Sequence, residues 1–177
     1  MKNLNSQLLK KFLRRACEEL EGEWILIGGT LLPALGIDVR PTIDIDLVGL
    51  TDREAAQTLK LMEIAESLGL GIEVINQAAS YYFRRVGFKK SDLKILATGR
   101  KVAIYRPSVE LYWRLKVPRL TESDALDCQH YLQFCRGQGD KIDGMLLNKP
   151  ILAELKKTNS AAKVERLKVL KSLLVSF

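Results

Sequence analysis

Hydrophobic positions in the first third of the chain alternate between helical and extended spacing. Apolar residues recur every three or four positions over residues 5 to 21, which predicts an amphipathic helix that Gly22 ends. The next apolar run, residues 24 to 27, is short and continuous and leads into Gly28 and Gly29. This run predicts a buried strand that enters a tight turn, followed by a short helix over residues 30 to 35.

Strict alternation of apolar and polar residues covers positions 42 to 50. Apolar side chains fall on one face, and Asp44 and Asp46 fall on the other, so the pattern predicts a strand with two carboxylates on one side. A helix over residues 51 to 68 and a strand over residues 71 to 75 are expected next. A strand, a helix and a strand in this order form a right-handed crossover, which predicts a parallel strand pair.

The rest of the pattern is a hairpin followed by helices. We expect a helix over residues 78 to 86 and a hairpin formed by residues 93 to 97 and 102 to 105. From Pro107 onward the spacing is helical to the end. The sequence therefore predicts an α/β fold, with a mixed β-sheet core flanked by helices over residues 1 to 120. A C-terminal helical region, residues 121 to 177, is expected to pack on that core.

Composition narrows the class of protein. With 177 residues, 47% of them hydrophobic, the chain can form a sizeable core without cross-links. Three cysteines at unrelated spacings and a single histidine, His130, exclude a disulfide framework and a zinc ribbon. No apolar stretch reaches the roughly 20 residues of a membrane span, and the charged amino terminus is unlike a secretory signal. We expect a cytoplasmic protein that does not enter the membrane.

Charge is unevenly distributed along the chain. The net charge is +7, but residues 1 to 78 hold 8 basic and 12 acidic residues, whereas residues 79 to 120 hold 11 basic and 2 acidic residues. This segment is either a solvated basic face or a surface for polyphosphate or nucleic acid. Its aromatic residues could stack on bases, but most of them are spaced like core residues, which weakens the stacking interpretation. They are Tyr81, Tyr82, Phe83, Phe88, Tyr105, Tyr112 and Trp113.

The Asp44 and Asp46 pair suggests a cation site. Their Cα atoms should lie about 6.5 to 7 Å apart. Two like charges on one side of a sheet repel each other and lose hydration unless a cation lies between them. Mg²⁺ is the expected ion, since it takes carboxylate oxygens and completes its shell with water and phosphates. The alternative is two solvated aspartates at a strand end.

The segment Gly28-Gly29-Thr30 lies at a predicted strand-to-helix turn, where backbone amides can hold phosphate oxygens. The spacing G-x-G-x-x-G is missing and no Gly-Lys-Ser/Thr follows, which excludes the dinucleotide fingerprint and the P-loop. A tight turn without a ligand is the alternative.

Residues 25 to 48, ILIGGTLLPALGIDVRPTIDIDLV, resemble the signature of the nucleotidyltransferase superfamily, which has the DNA polymerase β-like fold. The Gly-Gly-Thr form with Arg40, Thr42, Asp44, Asp46 and Leu47 is most similar to the abortive-infection-type branch. That branch includes nucleotidyltransferase toxins of toxin–antitoxin systems.

The resemblance implies a role for particular residues. Asp44, Asp46 and a third carboxylate would be catalytic and would bind the metal. Glu73 is the best candidate for the third carboxylate, and Asp92 is a weaker one. In the family an acidic residue often follows the strand at the place where this chain has Asn76-Gln77. Gly28, Gly29, Thr30 and Arg40 would bind the nucleotide. Lys116 and Arg119 match family positions that could neutralise phosphate, or they form a solvated helix face. Asp124 and Asp127 match a family aspartate pair, or they only cap a helix.

The resemblance thus implies a Mg²⁺-dependent nucleotidyltransferase that moves a nucleoside monophosphate from a nucleoside triphosphate to an acceptor hydroxyl. RNA, in particular a tRNA 3′ end, is the first candidate acceptor. A catalytically inactive nucleotide- or RNA-binding module and a component that binds an antitoxin protein are the alternatives.

Overall fold

A mixed four-stranded sheet with helices around it confirms the predicted α/β class. The computed structural model describes residues 4 to 174. It divides the chain into two compact units, Met1–Pro107 and Ser108–Phe177. The first unit contains the sheet, and the second begins just before the helix Val109–Lys116.

The sheet of the first unit has the order β2-β1-β4-β3. Its strands are β1 Gly22–Leu26, β2 Leu47–Gly49, β3 Leu93–Thr98 and β4 Val102–Pro107. Strand β1 runs antiparallel to β2 and parallel to β4, and β3 and β4 form the predicted hairpin. The apolar run of β1 is buried, as its continuous pattern predicts.

The helices of this unit follow their sequence patterns closely at the start of the chain. They are α1 Ser6–Glu19, α2 Leu31–Ala34, α3 Asp52–Ala55, α4 Thr58–Ser67 and α5 Ala78–Val86. Helix α1 begins at Asn5, whose side chain accepts the Leu8 N–H, and its buried face is the predicted one. The single helix expected over residues 51 to 68 is instead two helices, α3 and α4. Between them Gln57 exchanges two hydrogen bonds with the backbone of Glu21, both 3.0 Å long.

Of two predicted strands, one is much shorter than expected and the other is not formed. Only β2 remains of the strand expected over residues 42 to 50, since Thr42 and Ile45 form isolated bridges with Leu4 and Ile75. Residues 71 to 75 are not a strand, because the segment Ile72–Val74 is a 3-10 helix that closes its own hydrogen bonds. The predicted parallel pair between these segments is therefore reduced to the bridge of Ile45 with Ile75, and the sheet's parallel pair is β1 with β4.

In the second unit, residues 108 to 174 form helices joined by loops and no strand, as predicted for this part of the chain. Its helices are α6 Val109–Lys116, α7 Glu122–Gly137, α8 Gly144–Leu155 and α9 Ala161–Ser172. Each begins at a residue whose side chain accepts backbone N–H groups: Ser108, Thr121, Asp143 and Ser160. The core of this unit contains Tyr112, Trp113 and Tyr131, all fully buried. Within residues 4 to 174, no helix is long and apolar enough to cross a membrane.

Candidate functional site

The glycine turn after β1 lies directly against the Asp44–Asp46 segment. The Ile27 N–H donates to the carbonyl oxygen of Asp46 over 3.0 Å. Gly28 has a φ of +71°, and a Cβ added there would overlap Asp46 Oδ2. Any other residue would therefore combine backbone strain with displacement of the carboxylate, which explains why glycine occupies this position.

Thr30 fixes the backbone of both acidic residues. Its side chain is fully buried, and its hydroxyl donates to the Asp44 carbonyl oxygen over 3.0 Å. The same Oγ1 accepts the Asp46 N–H over 3.4 Å. Because one hydroxyl contacts residues on both sides of Ile45, the turn and the acidic segment form a single local structure.

Ile45 sets the direction of the two carboxylates. It is fully buried, and it pairs with the following segment, since its N–H donates to the Val74 carbonyl over 2.6 Å and its carbonyl accepts the Asn76 N–H over 3.1 Å. Side chains on either side of an extended residue point away from it. Asp44 is accordingly exposed and Asp46 is half-buried, with both facing away from the core.

Asn76 links Asp46 to the start of α5. Its Nδ2 donates to Asp46 Oδ1 over 2.6 Å, and its Oδ1 accepts the Ala78 N–H over 3.1 Å. These two bonds fix which amide atom faces the carboxylate. From the sequence, Asn76 was only a neutral residue at a place where the motif resemblance led us to expect an acid. Asn76 directly follows Ile75, the residue that pairs with Ile45. This position next to the acidic segment is the signal that could have identified it.

Arg40 lies at the second glycine of the turn. A Cβ added to Gly29 would overlap its Nη2 atom, so the guanidinium occupies the space that a side chain at Gly29 would need. Its Nη1 donates to the Pro41 carbonyl over 3.3 Å. A guanidinium beside side-chain-free backbone is a suitable arrangement for binding phosphate oxygens.

A surface cavity of about 470 Å³ lies beside the acidic segment. It is lined by Asp44, Met62, Ile72, Glu73, Ile75, Asn76 and Gln77. Its volume falls in the range of small-molecule sites.

The predicted third carboxylate is not assembled with the other two. Glu73 lines the cavity with Asp44, but it stands on the 3-10 helix and its carboxylate turns back over Gly71. Asp92, the weaker candidate, accepts the Lys89 N–H over 2.9 Å at the start of a second 3-10 helix, Lys90–Asp92. In the described part of the chain, no three His, Cys, Asp or Glu side chains are grouped so as to hold a metal ion.

Asp44 and Asp46 remain a suitable donor pair for Mg²⁺. This ion is commonly held by one or two carboxylates, with waters and substrate phosphates completing its shell. Asp44 is exposed, and the hydrogen bond from Asn76 engages Oδ1 of Asp46. Two carboxylates next to a glycine turn with a neighbouring guanidinium fit this chemistry.

Lys116 and Arg119 belong to the second unit, where their contacts are internal. Lys116 Nζ lies 2.8 Å from Asp124 Oδ1 and 2.8 Å from Asp127 Oδ2, and its side chain is 5% exposed. The solvated helix face is therefore wrong for Lys116. Arg119, whose side chain is 70% exposed, donates to both carboxylate oxygens of Asp124.

These contacts control the ionisation of Asp124. Burial opposes its charged form, but the hydrogen bonds from Arg119 and the charge of Lys116 outweigh burial and hold its pKa well below the usual value. Asp124 also accepts the N–H of Thr121 in a capping box at the start of α7. It caps the helix as one alternative predicted, and it joins a buried ion network that the sequence did not reveal.

No protein-family model, no curated protein and no solved structure matches this chain. The likeness of residues 25 to 48 to nucleotidyltransferases thus rests on the motif alone. A function has to be argued from the arrangement of the residues themselves.

Proposed function

We propose that this protein is a Mg²⁺-dependent nucleotidyltransferase, which moves a nucleoside monophosphate from a nucleoside triphosphate to an acceptor hydroxyl. The observation that carries the proposal is the contact between the glycine turn and the acidic pair. Thr30 bonds the backbone of Asp44 and Asp46, and Gly28 leaves the space that Asp46 occupies. A phosphate-binding turn and a metal-binding pair are thereby held side by side.

One group of residues binds the phosphates of the substrate, and another binds the metal ion. Backbone N–H groups at Gly28 and Gly29 and the Arg40 guanidinium bind phosphate oxygens. Asp44 and Asp46 hold Mg²⁺, which when bound neutralises the charge of the triphosphate and of the departing pyrophosphate. Asn76 keeps the Asp46 carboxylate in one orientation.

The transfer balances as a substitution at the α-phosphorus. The acceptor oxygen forms a bond to that phosphorus, while the bond to the bridging oxygen breaks and pyrophosphate leaves with its electron pair. The proton of the acceptor hydroxyl passes to the exposed carboxylate of Asp44 or to water.

We place the acceptor among RNA molecules, with a tRNA 3′ end as the first candidate. The support is the charge of residues 79 to 101 in the first unit, which carry 7 basic residues and 1 acidic residue. An enzyme that consumes nucleoside triphosphates works where they are abundant, so we place it in the cytoplasm. A role as a toxin with an antitoxin protein as partner follows from the motif's resemblance only.

The test is transfer of label from radiolabelled nucleoside triphosphates to RNA in the presence of Mg²⁺. Asp44→Asn and Asp46→Asn should each lower the rate about 100-fold or more, because each removes a carboxylate that would hold the Mg²⁺ that neutralises phosphate charge. Asp38→Asn is the matched control, since Asp38 is an exposed carboxylate whose described bond is to Ser6. Transfer that persists in both site variants contradicts the proposal.

One observation favours a second candidate, a catalytically inactive nucleotide-binding module. The described residues do not gather a third carboxylate, and a neutral amide, Asn76, contacts Asp46. Equal nucleotide affinity with and without Mg²⁺, together with no release of pyrophosphate, would favour this module over the enzyme.

A further inference from the structure

Two neighbouring tyrosines on α5, Tyr81 and Tyr82, are exposed to solvent. Tyr81 is 61% exposed and Tyr82 is 64% exposed. Helix α5 is anchored to its unit by other residues, since Ala79 and Phe83 are buried. The two tyrosine rings therefore add little to the core. They lie edge to face with centroids 5.7 Å apart, which presents ring surface to solvent.

One cation contacts these rings, and others follow along the chain. The Arg85 guanidinium lies 5.7 Å from the centroid of the Tyr81 ring, a cation–π contact between residues one helical turn apart. Lys89 and Lys90 follow the helix and are exposed. Over residues 79 to 101 the chain carries 7 basic residues and 1 acidic residue. The aromatic surface thus lies in a strongly positive segment.

This combination fits a particular kind of partner. Proteins that bind single-stranded nucleic acid combine aromatic side chains, on which bases stack, with positive charge along the phosphate backbone. Tyrosine and arginine are also enriched at protein–protein interfaces, whereas lysine is depleted there. The lysines beside the exposed rings therefore favour a single-stranded polyanion with aromatic bases over a protein partner.

We propose that the α5 surface, defined by Tyr81, Tyr82, Arg85, Lys89 and Lys90, binds single-stranded nucleic acid. Bases stack on the two tyrosines, and the three cations bind the phosphates. Helix α5 starts directly after Asn76 and Gln77, which line the cavity of the candidate site, so a strand bound here runs next to that cavity. Binding does not require the transferase chemistry, and the two proposals can fail separately.

The test is fluorescence anisotropy with labelled 12-nucleotide single strands of RNA and of DNA and with a duplex of the same sequence, without triphosphate or Mg²⁺. The variant Tyr81→Ala/Tyr82→Ala should bind the single strand at least tenfold more weakly, since each stacked base contributes measurably to affinity. Alanine keeps the helix, as it has the highest helix propensity. The parent protein should prefer either single strand to the duplex.

Two further variants separate stacking from general loss of structure. Tyr81→Phe/Tyr82→Phe keeps both rings and should retain affinity within about twofold. Leu59→Ala is the control, because Leu59 is 67% exposed on α4 of the same unit. It should bind like the parent.

Salt dependence tests the cations. Lys89→Ala/Lys90→Ala should lower the slope of log affinity against log salt by about 1.4, the value for two phosphate contacts to a single strand. Tighter binding of the RNA strand assigns RNA as the partner, and equal binding assigns single strands of either sugar. Absence of binding at low salt, or unchanged affinity of the double alanine variant, overturns the proposal whatever the transferase assay shows.

Discussion

Each of the two units contains a closely spaced pair of aspartates, and the surroundings of the two pairs are opposite. Asp124 and Asp127 are fully buried, and Lys116 lies 2.8 Å from a carboxylate oxygen of each. Asp44 is exposed, and Asp46 accepts a hydrogen bond from the neutral amide of Asn76. A buried pair requires a cation from the protein itself, because uncompensated charge in the interior is very unfavourable.

This difference in burial and hydrogen bonding indicates which aspartate pair can bind a metal ion or substrate. The carboxylate oxygens of Asp124 and Asp127 accept hydrogen bonds from Lys116 and Arg119, and these bonds connect α7 to the end of α6. The same oxygens therefore have little capacity left to bind a ligand. An exposed carboxylate such as Asp44 can take a cation from solution. Sequence spacing alone does not distinguish the two pairs, since the two aspartates of each pair are only two or three residues apart.

The largest expected effect is on the buried pair. Lys116→Ala should lower the free energy of unfolding by about 3–5 kcal/mol, because it leaves two buried carboxylates without their shared cation. The measurement is urea denaturation followed by circular dichroism and by tryptophan fluorescence. Asp44→Asn, by contrast, should change stability by less than about 1 kcal/mol, since Asp44 is exposed.

Lys90→Ala is the control for Lys116→Ala, because Lys90 is an exposed lysine on the first unit. It should stay within about 0.5 kcal/mol of the parent. A loss below about 1 kcal/mol for Lys116→Ala would show that the buried network contributes little, and the contrast between the pairs would then disappear.

The next effect concerns the Asp44–Asp46 pair and its glycine turn. Gly28→Ala should cost about 2 kcal/mol or more, because φ is positive and the new Cβ would displace the Asp46 carboxylate. It should also abolish label transfer. Gly36→Ala is the matched control, since Gly36 has a φ of +84° but no described atom within 4 Å of an added Cβ.

Gly36→Ala should therefore cost about 1–2 kcal/mol from backbone strain alone and leave transfer intact. Thermal denaturation of both variants gives the stability difference. Equal losses of stability and activity in the two variants would mean that the contact of Gly28 with Asp46 is unimportant.

The smallest effect is a pH dependence of the buried pair. The pKa of Asp124 is lower in the folded protein than the unfolded value near 3.9, so its ionised form stabilises the folded state above that pH. This stability is lost as the pH falls below about 4 and through the folded pKa. One such group gives a slope of at most about 1.4 kcal/mol per pH unit.

Denaturation between pH 2 and pH 7, followed by tryptophan fluorescence, measures this slope. Asp124→Asn should flatten it in the acid range, whereas Asp38→Asn should leave it unchanged. An identical acid slope in Asp124→Asn would assign the pH dependence to other groups.

Elements with long or continuous patterns were predictable from the sequence. Helix α1, strand β1 and the β3–β4 hairpin follow directly from their spacing. The errors lie where local hydrogen bonds compete with pairing. Residues 71 to 75 have an apolar pattern typical of a strand, but the Val74 N–H donates to the Gly71 carbonyl and the Ile75 N–H to the Ile72 carbonyl. Nothing in the apolar spacing distinguishes the two outcomes.

The candidate site was predictable in part. The glycine turn and the two aspartates were placed together by motif, and the structure brings them into contact. The place of Asn76 depends on the bridge between Ile45 and Ile75, which is a tertiary contact. The partners of Lys116 lie on the next helix, and only the spacing of Asp124 and Asp127, one helical turn apart, hints at a shared neighbour.

Strand β1 has a consequence for how the chain reaches its fold. It lies inside the sheet, between β2 and β4, and its parallel partner β4 begins only at Val102, so Gly22 meets a residue that is synthesised long after it. During translation the backbone N–H and C=O groups on one edge of β1 therefore stay without strand partners until β4 leaves the ribosome. A nascent chain that stalls before that point exposes an apolar strand, which is prone to aggregation. Closure of the sheet by a contact so distant along the chain also makes this step a slow one in refolding.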